Sequence, residues 1–405
     1  MQHTPVTGTP MPAGLVPCNV IAAEILNDHP QRFHAMMIDS SNPAHSLADS
    51  AEFRRALAAL DLVVVVDVAL TETGRLAHYV LPASTQFEKW EATFFNFEFP
   101  GNTFHLRAPV LDPLPGTLPE PEIYSRLLQA LGAAPRRKVK LLRTALRLGR
   151  PVFKAVFAVM IAADRSTLAM APYLLYQTLG RALPDGAQAA AVLWGLALRV
   201  SRRYPQAMRR AGHRSADDLF TAILENRSGV TFTLDRPEDA WAHVRHTSGR
   251  IPLHIPELLD ALAVLPDTPA THTSDDYPFI LAAGQRRAST ANTIFRDTTW
   301  RLRERDGTLR ISPGDAERLG LIDGATAQIT TSRGTAQATV EVDDRLQAGH
   351  AALPNGFGLD LPTDDGGTER TGVALNTLTD QHRRDPFAAT PWHKHLPARI
   401  EAVTG

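Results

Sequence analysis

The chain is 405 residues long, enough for two or three domains that each bury their own core. Its 42 Lys and Arg stand against 43 Asp and Glu, a formal net charge of -1, so no global field recruits nucleic acid or an anionic membrane. A single cysteine, Cys18, excludes an intramolecular disulfide, an all-cysteine zinc site and an iron–sulfur cluster held by this chain's own thiolates.

Residues 1–17 are rich in Pro, Gly and Thr and read as coil, with no basic and apolar leader pattern. Cys18 sits in a short apolar-flanked segment and is expected to be buried and inert. Asn19 is placed to cap a short helix through about Asp28. Ala35–Ile38 makes a short strand, followed by the polar run Asp39-Ser40-Ser41-Asn42-Pro43. Pro43 disfavours a helical conformation at Asn42, so the loop leaves the strand extended. Phe53, Ala56, Leu57 and Leu60 then fall at helical spacing within 48–60, with Ser46 or Asp49 as cap. Leu62–Val66 and Tyr79–Leu81 are the next strands. The first carries four consecutive valines, the pattern of a parallel strand covered on both faces. The succession of strand, loop, helix, strand, loop and strand implies a parallel α/β sheet of the Rossmann-like kind.

Residues 100–121 read as loop, and helical patterns dominate from Glu122 to about Arg210. The basic run Arg136-Arg137-Lys138-Val139-Lys140 is read as a solvated helix face. The longest apolar stretch, Phe153–Ala163, ends at Asp164 and Arg165, short of the ~20 residues that span a bilayer. A cytoplasmic protein without membrane or nucleic-acid partners is the expectation. Gly229–Leu234 is a strand. From Pro278 onward short strands at Phe279–Ala283, Thr326–Thr331, Thr335–Val342 and His350–Leu353 alternate with Gly and Asp turns, which indicates a small β-barrel or sandwich. Three regions result: an α/β domain over 1–121, a mostly helical connection over 122–270, and a β domain over 271–405.

Two constellations carry chemistry. Ser41, Asn42 and Pro43 follow the first strand, while Asp67, Thr71 and Glu72 follow the second. Open α/β sheets bind nucleotides at the carboxyl ends of their strands, where an acid can accept from a ribose diol or a guanine edge. The same residues also suit a loop acid and a helix cap. No G-x-G-x-x-G fingerprint is present, so a nicotinamide dehydrogenase is a distant reading. In the last third Gly284-Gln285-Arg286-Arg287 follows a strand, with Asn292, Thr293 and Arg296 soon after. A glycine beside an arginine pair lets backbone and guanidinium approach a phosphate or pterin edge together. Asn376 and Lys394 lie further on. No metal-binding histidine spacing or G-x-S-x-G elbow occurs, so no metal ligand or catalytic residue is assigned.

These residues resemble the molybdopterin-dependent oxidoreductases of the dimethyl sulfoxide reductase family, which includes formate dehydrogenases and nitrate reductases. The shared words are Asn42-Pro43, the strand ending at Asp67, Leu70-Thr71-Glu72-Thr73, Val80-Leu81-Pro82-Ala83 and Glu88-Lys89. Gly284 with Arg286, Ser312-Pro313-Gly314-Asp315, Asp323-Gly324, Asn376, Asp385-Pro386 and Lys394 resemble the family's C-terminal dinucleotide-binding domain, a double-psi β-barrel. The resemblance implies that molybdopterin guanine dinucleotide is bound through Ser41, Asn42, Pro43, Asp67, Thr71 and Glu72, and through Gly284, Arg286, Asn292, Asn376 and Lys394. It also implies that the family's iron–sulfur segment and molybdenum ligand precede the matched region. The chain then reads as the C-terminal half of such an enzyme, redox-active only with a separate N-terminal half or redox partner subunit. A non-catalytic cofactor-binding or assembly protein and an inactive gene fragment are the alternatives. Departures are Trp90-Glu91-Ala92-Thr93 after Glu88-Lys89, the Phe94-Phe95-Asn96 loop, His78, and a longer helical stretch.

Overall fold

A computed structural model describes residues 2–93, 98–226, 228–267, 273–285, 296, 307–363, 365–370 and 372–403. They form two compact units, Met1–Leu81 together with Ala263–Gly405, and Pro82–Leu262. Residues 82–121 therefore group with the helices, and the two ends of the sequence share one unit.

The first unit opens with α1 (Ile21–Leu26), β1 (Ala35–Asp39), α2 (Pro43–Ser46), α3 (Ser50–Ala58), β2 (Leu62–Asp67) and β3 (Tyr79–Pro82). The strands lie in the order β1-β2-β3, with β1 and β2 parallel and Asp39 opposite Val66. Ile25, Phe53 and Leu57 from the helices pack on Ile38, Val63 and Val65. Asp49 caps α3 by accepting the Glu52 N–H at 3.2 Å.

Three expectations fail here. Asn19 caps nothing: its Nδ2 donates to the Ala389 carbonyl at 2.8 Å, a partner 370 residues away. Cys18 is exposed, while its neighbours Asn19 and Val20 are the buried residues of the turn. The valine strand is covered along one face and only at its carboxyl end on the other, where Val66 is fully buried and Val64 half-buried. Helices occupy the Val63 and Val65 side, whereas Met37, Leu62 and Tyr79 are 44%, 40% and 63% exposed.

The second unit holds the antiparallel sheet of β4 (Glu91–Thr93), β5 (Gly101–Arg107) and β6 (Val230–Leu234). Its helices are α4 (Glu120–Ala130), α5 (Arg136–Arg147), α6 (Arg150–Ala163), α7 (Ser166–Ala169), α8 (Ala171–Gln177), α9 (Ala191–Arg203), α10 (Pro205–Arg210), α11 (Ala216–Glu225) and α12 (Pro256–Ala263), the last ending at the border of the first unit. β5 replaces an expected loop. Phe104 and Leu106 alternate inward as a strand requires, but Pro100, Gly101 and Asn102 in front of them carry turn composition. Phe104, Leu142, Phe153, Phe157, Trp194 and Phe220 share the core. In α5 Val139, Leu142 and Ala145 are buried and Arg136, Arg137 and Lys140 are solvated, as the basic run requires.

The barrel completes the first unit. β7 (Phe279–Gln285), β8 (Leu309–Ile311), β9 (Thr326–Thr330), β10 (Thr335–Val342), β11 (His350–Pro354) and, beyond the hairpin β12 (Asp360–Pro362) and β13 (Thr368–Arg370), β14 (Leu396–Ala402) close in the order β10-β8-β11-β7-β14-β9. The β10–β8 and β11–β7 pairs are parallel and the other pairs antiparallel. Phe279, Leu281, Leu309, Ile329 and Ile400 fill the interior. Ser312 caps α13 (Pro313–Leu319) by accepting the Asp315 N–H at 3.2 Å. Among the described residues no helix is long and apolar enough to cross a membrane.

Candidate functional site

Asp39 and Asp67 end the adjacent parallel strands β1 and β2, on the edge where α/β sheets receive ligands. Ser40 takes a left-handed conformation, φ 52°, with its N–H on the Val66 carbonyl at 2.9 Å and its Oγ on Asp39 Oδ1 at 2.7 Å. Ser41 beyond it is exposed. Asp67 is half-buried; its Oδ1 accepts the N–H groups of Val68 at 2.7 Å and Ala69 at 3.4 Å. Burial pushes the Asp67 carboxyl above the usual range, the Asp39 charge adds to this, and the Val68 and Ala69 amides with Arg296 oppose it. Among the described residues Oδ2 of Asp67 meets no donor.

Behind this edge lies a buried network. Asn42 Nδ2 donates to Glu72 Oε2 at 2.6 Å, and Asn42 Oδ1 accepts the Thr73 N–H at 3.1 Å and the Thr73 hydroxyl at 2.8 Å. Thr73 Oγ1 in turn accepts the Ala44 N–H at 3.0 Å, while Pro43 opens α2 at the position where a missing N–H costs nothing. Glu72 also accepts the Asp360 N–H at 2.7 Å and the guanidinium of Arg296. Burial alone would raise the Glu72 carboxyl, but Arg296 and the Asp360 amide hold it at about 2. Thr71 is buried and accepts the Gly74 N–H at 3.1 Å.

A second link binds the barrel to α2. Asn376 Nδ2 donates to the His45 carbonyl at 2.9 Å, and its Oδ1 accepts from Thr379 Oγ1 at 2.9 Å. Arg333 pairs with Asp49. Gly284 has φ 88°, and a Cβ there would stand 3.8 Å from Leu375 and 3.9 Å from Lys394 Nζ. Lys394 Nζ donates to the Gly284 carbonyl at 3.0 Å. Burial pushes the His45 imidazole down to about 4 against the pull of Glu72, so it is neutral at pH 7.

The sequence-derived residues thus gather in connected groups. Ser41, Asn42, Pro43, Asp67, Thr71 and Glu72 lie at the sheet edge and behind it; Asn376 joins them through the His45 carbonyl, while Gly284 and Lys394 bond to each other. Arg286 and Asn292 lie outside the described residues. The polar atoms of Asn42 and Asn376 are spent on protein partners, so these two set loop positions. Thr73 belongs to the network as part of the shared word Leu70-Thr71-Glu72-Thr73, whereas His45 and Asp360 belong to it without a sequence signal of their own beyond turn and loop composition.

Comparison with known proteins follows this division. Residues 279–397 match the molydopterin dinucleotide binding domain, and residues 12–113 match molybdopterin oxidoreductase. A nitrate reductase of Klebsiella oxytoca is 25% identical over 357 residues, 87% of this chain and 34% of its own length. The probable oxidoreductase YoaE of Bacillus subtilis (strain 168) is 23% identical over 317 residues, 78% of this chain and 38% of its own. The acetylene hydratase from Pelobacter acetylenicus shares the fold with a TM-score of 0.61 at 18% identity, over 97% of this chain and 47% of that one. The chain spans less than half the length of each of these proteins.

Proposed function

The chain belongs to the molybdopterin oxidoreductases of the dimethyl sulfoxide reductase family, and on that premise we propose that its sheet edge and barrel loop bind the guanine dinucleotide arm of the molybdenum cofactor. One observation carries the reading: Asn42, Glu72 and Arg296 tie the carboxyl edge of the sheet to the barrel, and among the described residues Asp67 Oδ2 on that edge meets no donor.

The residues fit such a group by their chemistry. Asp67 Oδ2 is the acceptor that a guanine N–H edge or a ribose diol calls for, and the exposed Ser41, two residues beyond the end of β1, offers a hydroxyl. Gly284 lets the backbone approach closely, and Lys394 contributes positive charge toward a diphosphate. Asn42, Glu72 and Asn376 act as positioning residues. When bound, the cofactor supplies a metal centre for two-electron transfer; the residues of this chain bind and orient its nucleotide. We read the six-stranded barrel as a double-psi barrel, a reading supported by its two parallel pairs.

The molybdenum ligand and the iron–sulfur ligands of a redox-active enzyme would come from residues outside this sequence, whose one cysteine is Cys18. A separate N-terminal half or redox partner subunit is the source we propose. Exposed apolar residues of this sheet, Met37, Leu62 and Tyr79, offer surface that supports such an association. The test is co-expression with a candidate N-terminal half, followed by molybdenum and pterin assays on the purified complex. Both bound, with less pterin in Asp67→Asn, is the expected result. Folded protein with neither, alone and with every partner, contradicts the reading.

A further inference from the structure

Neither matched family region covers residues 114–278. The near-zero net charge conceals a strong asymmetry in this part: residues 131–214 hold sixteen Lys and Arg against two acids, Asp164 and Asp185. Asp164 is already paired with Lys138 at 2.6 Å. A local field of this size persists near its source although the whole chain averages to -1.

A groove of about 830 Å³ runs along α6, α8 and α9 on this basic surface, within the size range of small-molecule sites. Phe157, Ile161, Leu175 and Trp194 line its floor. The floor is a fixed aromatic layer: Phe153 and Phe157 stack at 5.9 Å, and Trp194 tilts against them at 5.4 and 6.4 Å. Trp194 Nε1 donates to Asp217 Oδ1 at 2.8 Å, so the groove meets the apolar part of the indole. Leu168 and Leu196 stand exposed on its wall.

The rim is cationic. Lys154, Arg199, Arg202, Arg203 and Arg245 all line the groove, no acid does, and among the described residues none of the five is in an ion pair. Tyr204 organises two of them, with Arg203 over its ring at 6.0 Å and an Arg245 nitrogen 3.4 Å from its hydroxyl.

A hydrocarbon floor offers nothing to a bare phosphate or a nucleotide, and unpaired cations offer nothing to a neutral alkane. A ligand with both an alkyl chain and an anionic head satisfies floor and rim together. We propose that this groove binds a long-chain carboxylate, its chain along Phe157, Leu175 and Trp194 and its head among Arg199, Arg202 and Arg245. The site is separate from the cofactor residues and stands whether or not the cofactor reading does.

The test titrates the full chain with brominated stearate and follows tryptophan fluorescence, since bromine on the chain quenches an indole it touches. Saturable quenching that disappears in Trp194→Phe is expected. The double variant Arg199→Glu/Arg202→Glu, both surface residues, should bind at least about tenfold more weakly, with an unchanged circular dichroism spectrum. Quenching that survives in Trp194→Phe, or affinity unchanged in the double variant, overturns the proposal. So does binding only to phosphatidylglycerol vesicles, or only to an acidic amphipathic peptide, without stearate binding. Each of those results would assign the surface to a membrane or a protein partner instead.

Discussion

Replacing Glu72 by Gln removes one charge at the centre of the network and reverses its hydrogen-bond logic. Among the described residues the groups that meet the Glu72 carboxylate are donors: Asn42 Nδ2, the Asp360 and Glu72 N–H groups and the Arg296 guanidinium. A glutamine would turn an NH2 group toward donors and leave Arg296 without its counter-charge. The carboxyl is lowered from 4.5 to about 2, which at ~1.4 kcal/mol per unit corresponds to about 3 kcal/mol of stability. Breaking a buried ion pair by removing one partner costs roughly 3–5 kcal/mol, in agreement. Because the folded-state pKa is depressed, this contribution is complete above the unfolded value near 4.5 and is lost as pH falls toward 2. Urea unfolding followed by circular dichroism at pH 7 and again near pH 2.5 measures it. The wild-type chain should exceed Glu72→Gln by about 3 kcal/mol at pH 7 and by little at the acid end. Hydrogen exchange at the Thr73 and Asp360 amides should accelerate in the variant. A difference below about 1 kcal/mol at pH 7, or one that persists unchanged in acid, refutes a linking role for Glu72.

Other outcomes follow from single residues. Asp67→Asn should weaken guanosine diphosphate binding by about tenfold in calorimetry, since a hydrogen bond to a charged acceptor is worth ~1.5–3 kcal/mol. In the wild-type chain the same binding should fade on acidification at a higher pH than an ordinary aspartate gives, because burial raises the Asp67 carboxyl. Gly284→Ala should lower the melting temperature of the barrel by an amount equal to ~1 kcal/mol: φ 88° strains a side chain there, while the nearest atoms leave room for it. Phe104→Ala should cost about 3–5 kcal/mol in unfolding of the 82–262 unit, since Phe104 belongs to that unit's buried core.

The parallel pair β1–β2 was legible because four valines and the preceding helical spacing leave few other folds for residues 35–67. The barrel was legible from Gly and Asp turns at short intervals. β5 was not, because Pro100, Gly101 and Asn102 carry turn composition in front of a strand whose inward residues are only Phe104 and Leu106. The valines suggested a strand covered on both faces, but residue type reports compatibility with burial rather than the presence of a covering layer: the second face is closed at Val66 and open at Met37 and Leu62. Asn19 and Cys18 were misread for a related reason: the Asn19 partner, the Ala389 carbonyl, lies 370 residues away. The residue types at the carboxyl edge of the sheet were visible from their positions after strands. Their partners were not. Arg296 and Glu72 are separated by 224 residues, and no local pattern tells that the Asn42 carboxamide spends itself on Glu72 and Thr73 rather than on a ligand.

The central claim is that this chain holds a guanine dinucleotide form of molybdopterin. Acid release of bound small molecules from the purified complex, with chromatography of the guanine nucleotide and fluorescence of the oxidised pterin, tests it most directly. The account predicts guanine nucleotide and pterin released together in equal amounts, and a marked loss of both from Asp67→Asn. Pterin released without any guanine nucleotide, or a folded complex that releases neither, contradicts it.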